Sequence, residues 1–483
     1  MNVVVTLTNT QSLPGLNDRA ASGERGGMSY ADFLAGKAIR ATERGLSSVP
    51  TLAGHLFPFQ RSCVEFALRA GSAGNFLSTG LGKTACELEW SAHAAEASNG
   101  KALILAPLSV GWQIEQEGKR WGYDARVIRD QSEAKSGINI CNYERLDKLD
   151  PAAFGAVALD ESSILKSFSG KTSRVLIEAF SQHRFRLSAT ATPAPNDHME
   201  LGQQSDFLGV MPGSEMLMRW FINDTSTASQ EWRLKKHAIN DFWDWCASWS
   251  RMVEMPSDLT GDQRDDAGFI LPPMKIIRHR AEASPIKGSD LFGMVDMSAT
   301  SMFEVKRKTT AERAKTAASL IDANEPWMIW VDTDAEADAI KALLPEAKEV
   351  RGSDTPEHKE NTLRGFADGS VRVLISKSSI AGFGLNWQHC ARTVFVGRTF
   401  SYEAWYQAVR RFWRFGQKRE VEVHLIVAEG EDAIARVIDR KADDHATMKA
   451  AMRAAMLRAT EKTVSRKTSY QPNHKAGVPA WAV

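Results

Sequence analysis

Ser78-Thr79-Gly80-Leu81-Gly82-Lys83-Thr84 stands between a short apolar run and a helical pattern. Glycines at such a turn let backbone N–H groups wrap phosphate oxygens at a helix N-terminus. The lysine that closes it reaches β- and γ-phosphates, and the threonine hydroxyl binds Mg2+. The strict pattern has a further glycine where Leu77 stands, so the chain carries the shorter G-x-G-K-T form. A second apolar run, 156–159, ends in Asp160-Glu161, 77 residues beyond Lys83. Ligands bind at the carboxyl ends of parallel strands, where Asp160 suits the metal and Glu161 suits polarising a water. The plain alternative for the first motif is a Gly-rich turn with an incidental Lys-Thr, and an acidic pair ending a strand is, alone, usually a solvated turn. The strand–turn–helix setting and the spacing favour ATP hydrolysis, with Mg2+ held by Thr84 and Asp160.

These groups need a scaffold that brings strand ends together. From about residue 50, apolar runs at 75–77, 102–106, 138–140, 156–159 and 185–188 alternate with helical patterns. Continuous apolar strands separated by helices mean a parallel sheet covered on both faces. A second series, 328–331, 371–376, 393–396 and 421–427, predicts a second α/β domain. The stretch 211–275 differs. It holds Trp220, Trp232, Trp243, Trp245 and Trp249, then a polar acidic loop and Leu271-Pro272-Pro273, and reads as a helical insert followed by a linker. Phe242, Trp245, Trp249 and Val253 fall at helical spacing. A helical core on the first domain is the plain use of that face; stacking on bases is the sharper one. The expected organisation is an arm at 1–49, a first domain at 50–210, the insert and linker at 211–275, a second domain at 276–445 and a basic tail at 446–483. From 446 the tail carries seven Lys/Arg against one acid, Glu461, and is expected to be a solvated helix adding phosphate affinity. Residues 1–27 are polar and without pattern. Glu24-Arg25-Gly26-Gly27 precedes Met28 and suits a purine-rich ribosome-binding site, so either Met28 is the start or 1–27 form a flexible arm.

Composition narrows the classes. With 43% hydrophobic and 25% charged residues, global disorder is excluded. Sixty Lys+Arg against 59 Asp+Glu give +1, so any nucleic-acid contact must be a local patch. No apolar run approaches the ~20 residues that span a bilayer, and no secretory signal is present. Cys63, Cys86, Cys141, Cys246 and Cys390 are scattered without a CxxC pair, which argues against disulfides or a zinc ribbon and for a reducing cytoplasm.

Further strings accompany the two motifs: HLFPFQ at 55–60, LILAPLSVGWQIEQEGKRW at 103–121, LSATATP at 187–193, VRGSDTPEHKENTLRGF at 350–366, AGFGLN at 381–386 and QAVRRFWRFGQ at 407–417. Over roughly residues 50–430 the chain resembles the superfamily two helicases and translocases, and among them the Swi/Snf-like branch. The resemblance implies two RecA-like parallel-sheet lobes with the Trp-rich insert between them, and nucleic acid, foremost double-stranded DNA, as partner. It implies that Gln60 reads the adenine edge and that Gly80, Gly82, Lys83 and Thr84 hold phosphates. Ser188 and Thr190 would couple hydrolysis to movement, and Gly384 and Asn386 would lie at the cleft and the nucleic-acid backbone. Arg411 and Arg414 would be arginine fingers, supported by Gln407. The chain departs from the pattern at Ser163, where many relatives have His, and at Arg410 and Trp413, which replace Asp and His. The activity implied is an ATP-dependent motor tracking on duplex DNA. Two other readings stay open: a strand-separating helicase on DNA or RNA, and an ATP-gated scaffold without turnover. No nuclease or methyltransferase constellation is visible, and the compact size suits a phage or mobile-element version.

Overall fold

The structure is a computed structural model that describes residues 41–108, 110–166, 170–195, 197–224, 231–281, 299–382, 386–397, 401–427 and 432–464. The 1–27 segment and Met28 lie outside the described residues. Six strands open the chain: β1 (Ser72–Leu77), β2 (Lys101–Ala106), β3 (Ala125–Val127), β4 (Gly137–Asn142), β5 (Ala156–Asp160) and β6 (Phe185–Ala189). A hairpin of β7 (Phe221–Asp224) and β8 (Glu231–Leu234) follows, then β9 (Ser250–Val253). β1–β6 and β9 form one parallel sheet in the order β3-β4-β2-β5-β6-β1-β9. Side chains alternate between its faces. Leu103 and Leu105 enter one core with Phe76 and Val157, while Ala102 and Ile104 enter the other with Leu77 and Ala158. Both faces are buried, which is why the strands read as unbroken apolar runs.

The second sheet is also parallel. Its strands are β10 (Met274–Arg280), β11 (Trp327–Val331), β12 (Lys348–Val350), β13 (Val373–Lys377), β14 (Arg392–Phe395) and β15 (Val421–Val427), in the order β10-β15-β14-β11-β13-β12. Met328 and Trp330 face one core of this lobe, Ile329 and Val331 the other.

The stretch read as an insert is only partly helical. Its helix Ile239–Trp249 turns Phe242, Trp245 and Trp249 into the first lobe's core. Trp245 stacks on Trp220 at 4.7 Å, and Trp249 meets Phe76 edge-on at 6.0 Å. The chain then becomes β9, whose Ser250 pairs with Gly74 at the edge of the first sheet. The aromatic spacing marks a core face.

The tail requires a correction. The helix Asp432–Val464 returns from the second lobe to the first, and Met448, Met452, Ala455 and Met456 are buried in the same core as Trp245. Three of its cations face acids: Lys449 Nζ lies 3.2 Å from Glu254, Arg453 3.2 Å from Asp258 and Arg458 2.6 Å from Asp244. Apolar residues spaced i, i+4 drove this segment onto the core, so the described part is not the solvated phosphate-binding helix that charge alone implied. Arg466, Lys467 and Lys475 lie outside the described residues. No helix among the described residues is long and apolar enough to cross a membrane, and all five cysteines are free and buried.

Candidate functional site

A cavity of about 280 Å3 opens between the carboxyl ends of the first sheet and the segment following β14 in the second lobe. Its floor begins where β1 ends. Ser78 N–H donates to Val253 O at 2.9 Å, so β9 fixes the entry to the turn, and Leu81 N–H closes it onto Ser78 O at 3.1 Å. Gly80 (φ 94°) and Gly82 (φ 77°) take the left-handed conformation that favours glycine. A Cβ on Gly80 would stand 2.7 Å from Phe415 N of the other lobe, and one on Gly82 would collide with the Gln60 amide. These glycines therefore serve close approach of the lobes as well as backbone shape. The helix Lys83–Glu96 starts directly behind them.

Asp160 and Glu161 end β5 on the cavity wall. Glu161 has φ 53°, the one positive value for a non-glycine among the described residues, a strain of order 1–3 kcal/mol that surrounding contacts must offset. Those contacts are present. Lys83 Nζ lies 3.4 Å from Glu161 Oε1, while Thr190 Oγ1 and Gln407 Nε2 each donate to Oε2 at 3.4 Å. Burial first, then repulsion from Glu161, pushes Asp160 up to about 7 against the pull of Lys83. Glu87, buried on the Lys83–Glu96 helix, is raised well above the carboxylate range by burial and then by Asp160. Three carboxylates share this corner with one lysine from the same lobe, an imbalance that a divalent cation would relieve. Thr84 and Asp160 both border the cavity. No group of three His, Cys, Asp or Glu poised to hold a metal occurs among the described residues. A hydroxyl and a carboxylate oxygen at one edge of the cavity, Thr84 and Asp160, are the hard oxygen donors that suit Mg2+, which takes one or two carboxylates and completes its shell with water and phosphate oxygens.

The second lobe contributes cations. Arg411 is 3% exposed and Gln407 is fully buried at the end of the helix Tyr402–Val409. Arg411 Nη2 donates to Gln407 Oε1 at 3.2 Å and Nε to Gln407 O at 3.3 Å. Gln407 thus links Arg411 to Glu161 across the lobes without itself bordering the cavity; Arg411 and Arg414 do border it. Burial depresses the Arg411 guanidinium while Glu161 and Asp160 act in the other direction. Burial and then Arg411 bring Arg414 to about 9. Trp413, one of the departures from the resemblance, donates from Nε1 to Pro272 O at 2.7 Å and carries Arg410 on its ring at 4.4 Å. Ser163 is buried near the same strand end.

Gln60 borders the cavity, yet much of its amide is engaged. Oε1 accepts from Phe57 N–H at 2.9 Å, and Nε2 donates to Leu81 O at 2.8 Å. Ser188 and Thr190 are buried behind the cavity. Ser188 Oγ donates to Gln204, whose Nε2 donates to Ser162 O at 3.0 Å, and Thr190 reaches Glu161. Asn386 borders the cavity, and its Oδ1 accepts no hydrogen bond from the described residues. Gly384 lies outside the described residues. Sequence reading missed Gln204 and Glu87, which sit in no motif it had singled out, and missed His55, Trp121 and Phe269 as lining residues. The last is an aromatic from the linker that meets Phe415 at 4.9 Å. A larger cleft, about 900 Å3, is lined by Trp112, Arg129, Arg145 and Lys166 of the first lobe and Lys359 and Arg364 of the second. Arg364 lies over the Trp112 ring at 4.4 Å, and Glu161 borders both spaces.

A family model of the helicase conserved C-terminal domain matches residues 312–416, which include Gln407, Arg411 and Arg414. A putative ATP-dependent helicase/translocase of Bacillus subtilis (strain 168) is 23% identical over 81% of this chain and 48% of its own length. A SWI/SNF-related, matrix-associated, actin-dependent regulator of chromatin, subfamily A-like protein 1, from Xenopus tropicalis is 29% identical over 34% of this chain and 18% of its own length. The chain thus spans about half the length of the first relative and under a fifth of the second. A solved SWI2/SNF2 ATPase core from Sulfolobus solfataricus, in complex with double-stranded DNA, covers 85% of this chain and 96% of its own at 16% identity, with a TM-score of 0.38. Residues 312–416 thus carry a helicase conserved C-terminal domain, in a chain of two parallel-sheet lobes that is similar in sequence to ATP-dependent helicase/translocase and SWI/SNF-related proteins.

Proposed function

We propose that this chain is a nucleic-acid-dependent ATPase that uses hydrolysis between its lobes to move along double-stranded DNA. The observation that carries the reading is the Lys83–Glu161–Gln407–Arg411 chain of contacts, which joins both lobes at one cavity. ATP phosphates would lie on the Gly80–Gly82 turn, where their charge competes with Glu161 for the Lys83 ammonium. Mg2+ on Thr84 and Asp160 would neutralise phosphate charge. Glu161 then orients the attacking water and takes its proton. Charge that spreads over the γ-oxygens in the transition state meets Arg411 and Arg414, which reach the cavity only when the second lobe is docked. An arginine so placed is worth ~10³–10⁵ in rate. Hydrolysis thereby depends on lobe closure, and repeated closure is the source of stepping. Because Glu161 borders the larger cleft as well, a strand held there alters the surroundings of the group that activates water.

Tracking on duplex is favoured over strand separation by the fate of the Trp helix. Opening a fork costs ~1.4 kcal/mol per base-pair step and calls for an exposed wedge. Trp243, Trp245 and Trp249 are 4%, 1% and 0% exposed, so that helix supplies none. The experiment compares displacement of a triplex-forming strand from intact duplex with unwinding of a forked duplex, both with ATP. Displacement without fork unwinding is expected; efficient fork unwinding without displacement would overturn duplex tracking in favour of a helicase.

A further inference from the structure

His55 and Trp121 form one wall of the nucleotide cavity, with ring centroids 5.0 Å apart and planes within 13°. A chain of polar contacts runs behind them. Glu89 lies on the Lys83–Glu96 helix and is 2% exposed. Its Oε1 accepts Ala53 N–H at 2.6 Å, and its Oε2 accepts the Tyr123 hydroxyl. The Tyr123 oxygen in turn lies 3.4 Å from His55 Nε2. Burial works against ionisation of Glu89, but hydrogen bonds from His93, Tyr123 and Ala53 outweigh it and bring the carboxyl down to about 2, so it is a carboxylate and accepts only.

The direction of each proton follows. Tyrosine has one hydroxyl proton, and it goes to the Glu89 carboxylate. Toward His55 the Tyr123 oxygen can only accept, so His55 Nε2 must carry the N–H. In the neutral ring Nδ1 then holds the lone pair. Tyr123 and Glu89 do not line the cavity, whereas His55 does. The edge turned to Tyr123 is thus spent on orientation, and the ring's acceptor remains for a ligand. No described residue hydrogen-bonds His55 Nδ1.

We infer that His55 is a base-selecting residue of the nucleotide site, its tautomer held by the Glu89–Tyr123 pair so that Nδ1 accepts a hydrogen from a 6-amino purine. A 6-oxo purine presents an acceptor at that place, and two lone pairs repel. The assignment rests on the ATPase reading for its substrate. It also supplies what Gln60 does not: with one lone pair of Gln60 Oε1 on Phe57 N–H and one Nε2 hydrogen on Leu81 O, less of that amide is left to read the base. His55 is an exposed residue, so its bond to the base is a neutral hydrogen bond of ordinary net strength, and a second acceptor opposite it forfeits that bond. The expected discrimination is therefore about fivefold to tenfold.

The test compares ATP, GTP and purine riboside triphosphate, which lacks the 6-amino group, on the full chain, its His55→Phe variant and its Tyr123→Phe variant. Binding is read by displacement of a fluorescent ATP analogue, and turnover by phosphate release. The full chain should favour ATP about fivefold to tenfold over both other nucleotides. His55→Phe keeps the stacking surface but removes the acceptor, and should bring all three within about twofold. Tyr123→Phe releases the tautomer and should fall between them. A merely structural role for His55 would weaken all three nucleotides equally; that result, or an unchanged ATP preference in His55→Phe, overturns the assignment. Selective ATP binding that His55→Phe abolishes, in a chain without turnover, would uphold it while refuting the ATPase reading.

Discussion

Two basic segments late in the chain cross from the second lobe to the first, and they end in opposite surroundings. The 407–417 segment brings Arg411 and Arg414 to a cavity shared with Asp160 and Glu161. The 446–464 segment brings Lys449, Arg453 and Arg458 to Glu254, Asp258 and Asp244 beside a packed methionine face. Charge count does not separate them. In the first set burial opposes the charge, and Arg411 adds its repulsion at Arg414, which falls to about 9. Each cation of the second set lies within 3.2 Å of a carboxylate. A cation whose charge is disfavoured at rest gains most from a negative charge that develops during a reaction; a cation already matched holds structure.

That contrast is broken most severely at the acids of the cavity. Glu161→Gln should retain nucleotide binding and lose turnover by ~10³ or more, since the amide cannot take the water's proton. Wild-type phosphate release from this variant would remove the role. Truncation after residue 445 should have the next largest effect, on stability. Burial of Met448, Met452 and Met456 is worth roughly 1.5–3 kcal/mol each, so the truncated chain should melt many degrees lower or fail to express in soluble form. An unchanged melting temperature would mean the helix is ornamental.

A smaller, pH-dependent effect belongs to His445 at the root of that helix, packed against Tyr402 and Tyr406 at 5.5 and 6.0 Å. Burial, then the nearby positive charges of Lys449 and His198, depress it to about 3. Below the unfolded pKa near 6.5 the unfolded chain takes a proton that the folded one refuses. Stability therefore falls as pH drops from about 6.5 toward 3, by up to about 2 kcal/mol at pH 5. His445→Gln should flatten the melting temperature between pH 7 and 5; the same decline in both proteins would exclude His445 as its source. The smallest change is expected from Arg458→Ala. The Arg458–Asp244 pair is more than a third exposed at both ends, and its loss should cost under ~1 kcal/mol and leave the salt dependence of nucleic-acid binding unaltered. A reduced slope would return this arginine to the nucleic-acid path.

Much of this was legible in the residues. Apolar runs such as 102–106 became strands because both faces of a parallel sheet are dry. The G-x-G-K-T turn and the Asp160-Glu161 pair came to one cavity because both follow strands of the same sheet. The rest escaped for definable reasons. β9 is four residues long and follows a helix it interrupts, so period alone gave no warning. Gln407 reads as a support for the arginines and does bond Arg411; its further contact with Glu161 of the other lobe depends on how the lobes dock, which no local spacing encodes. The tail misled because charge was counted before spacing: the same segment holds methionines at 448, 452 and 456.

The central claim is that the second lobe supplies the charge that hydrolysis needs. It is tested most directly by single-turnover ATP hydrolysis in Arg411→Ala with duplex DNA present, alongside the binding affinity for ATP. Turnover reduced ~10³-fold or more with affinity within a fewfold of wild type is the expected result; weakened affinity with undiminished turnover would contradict it.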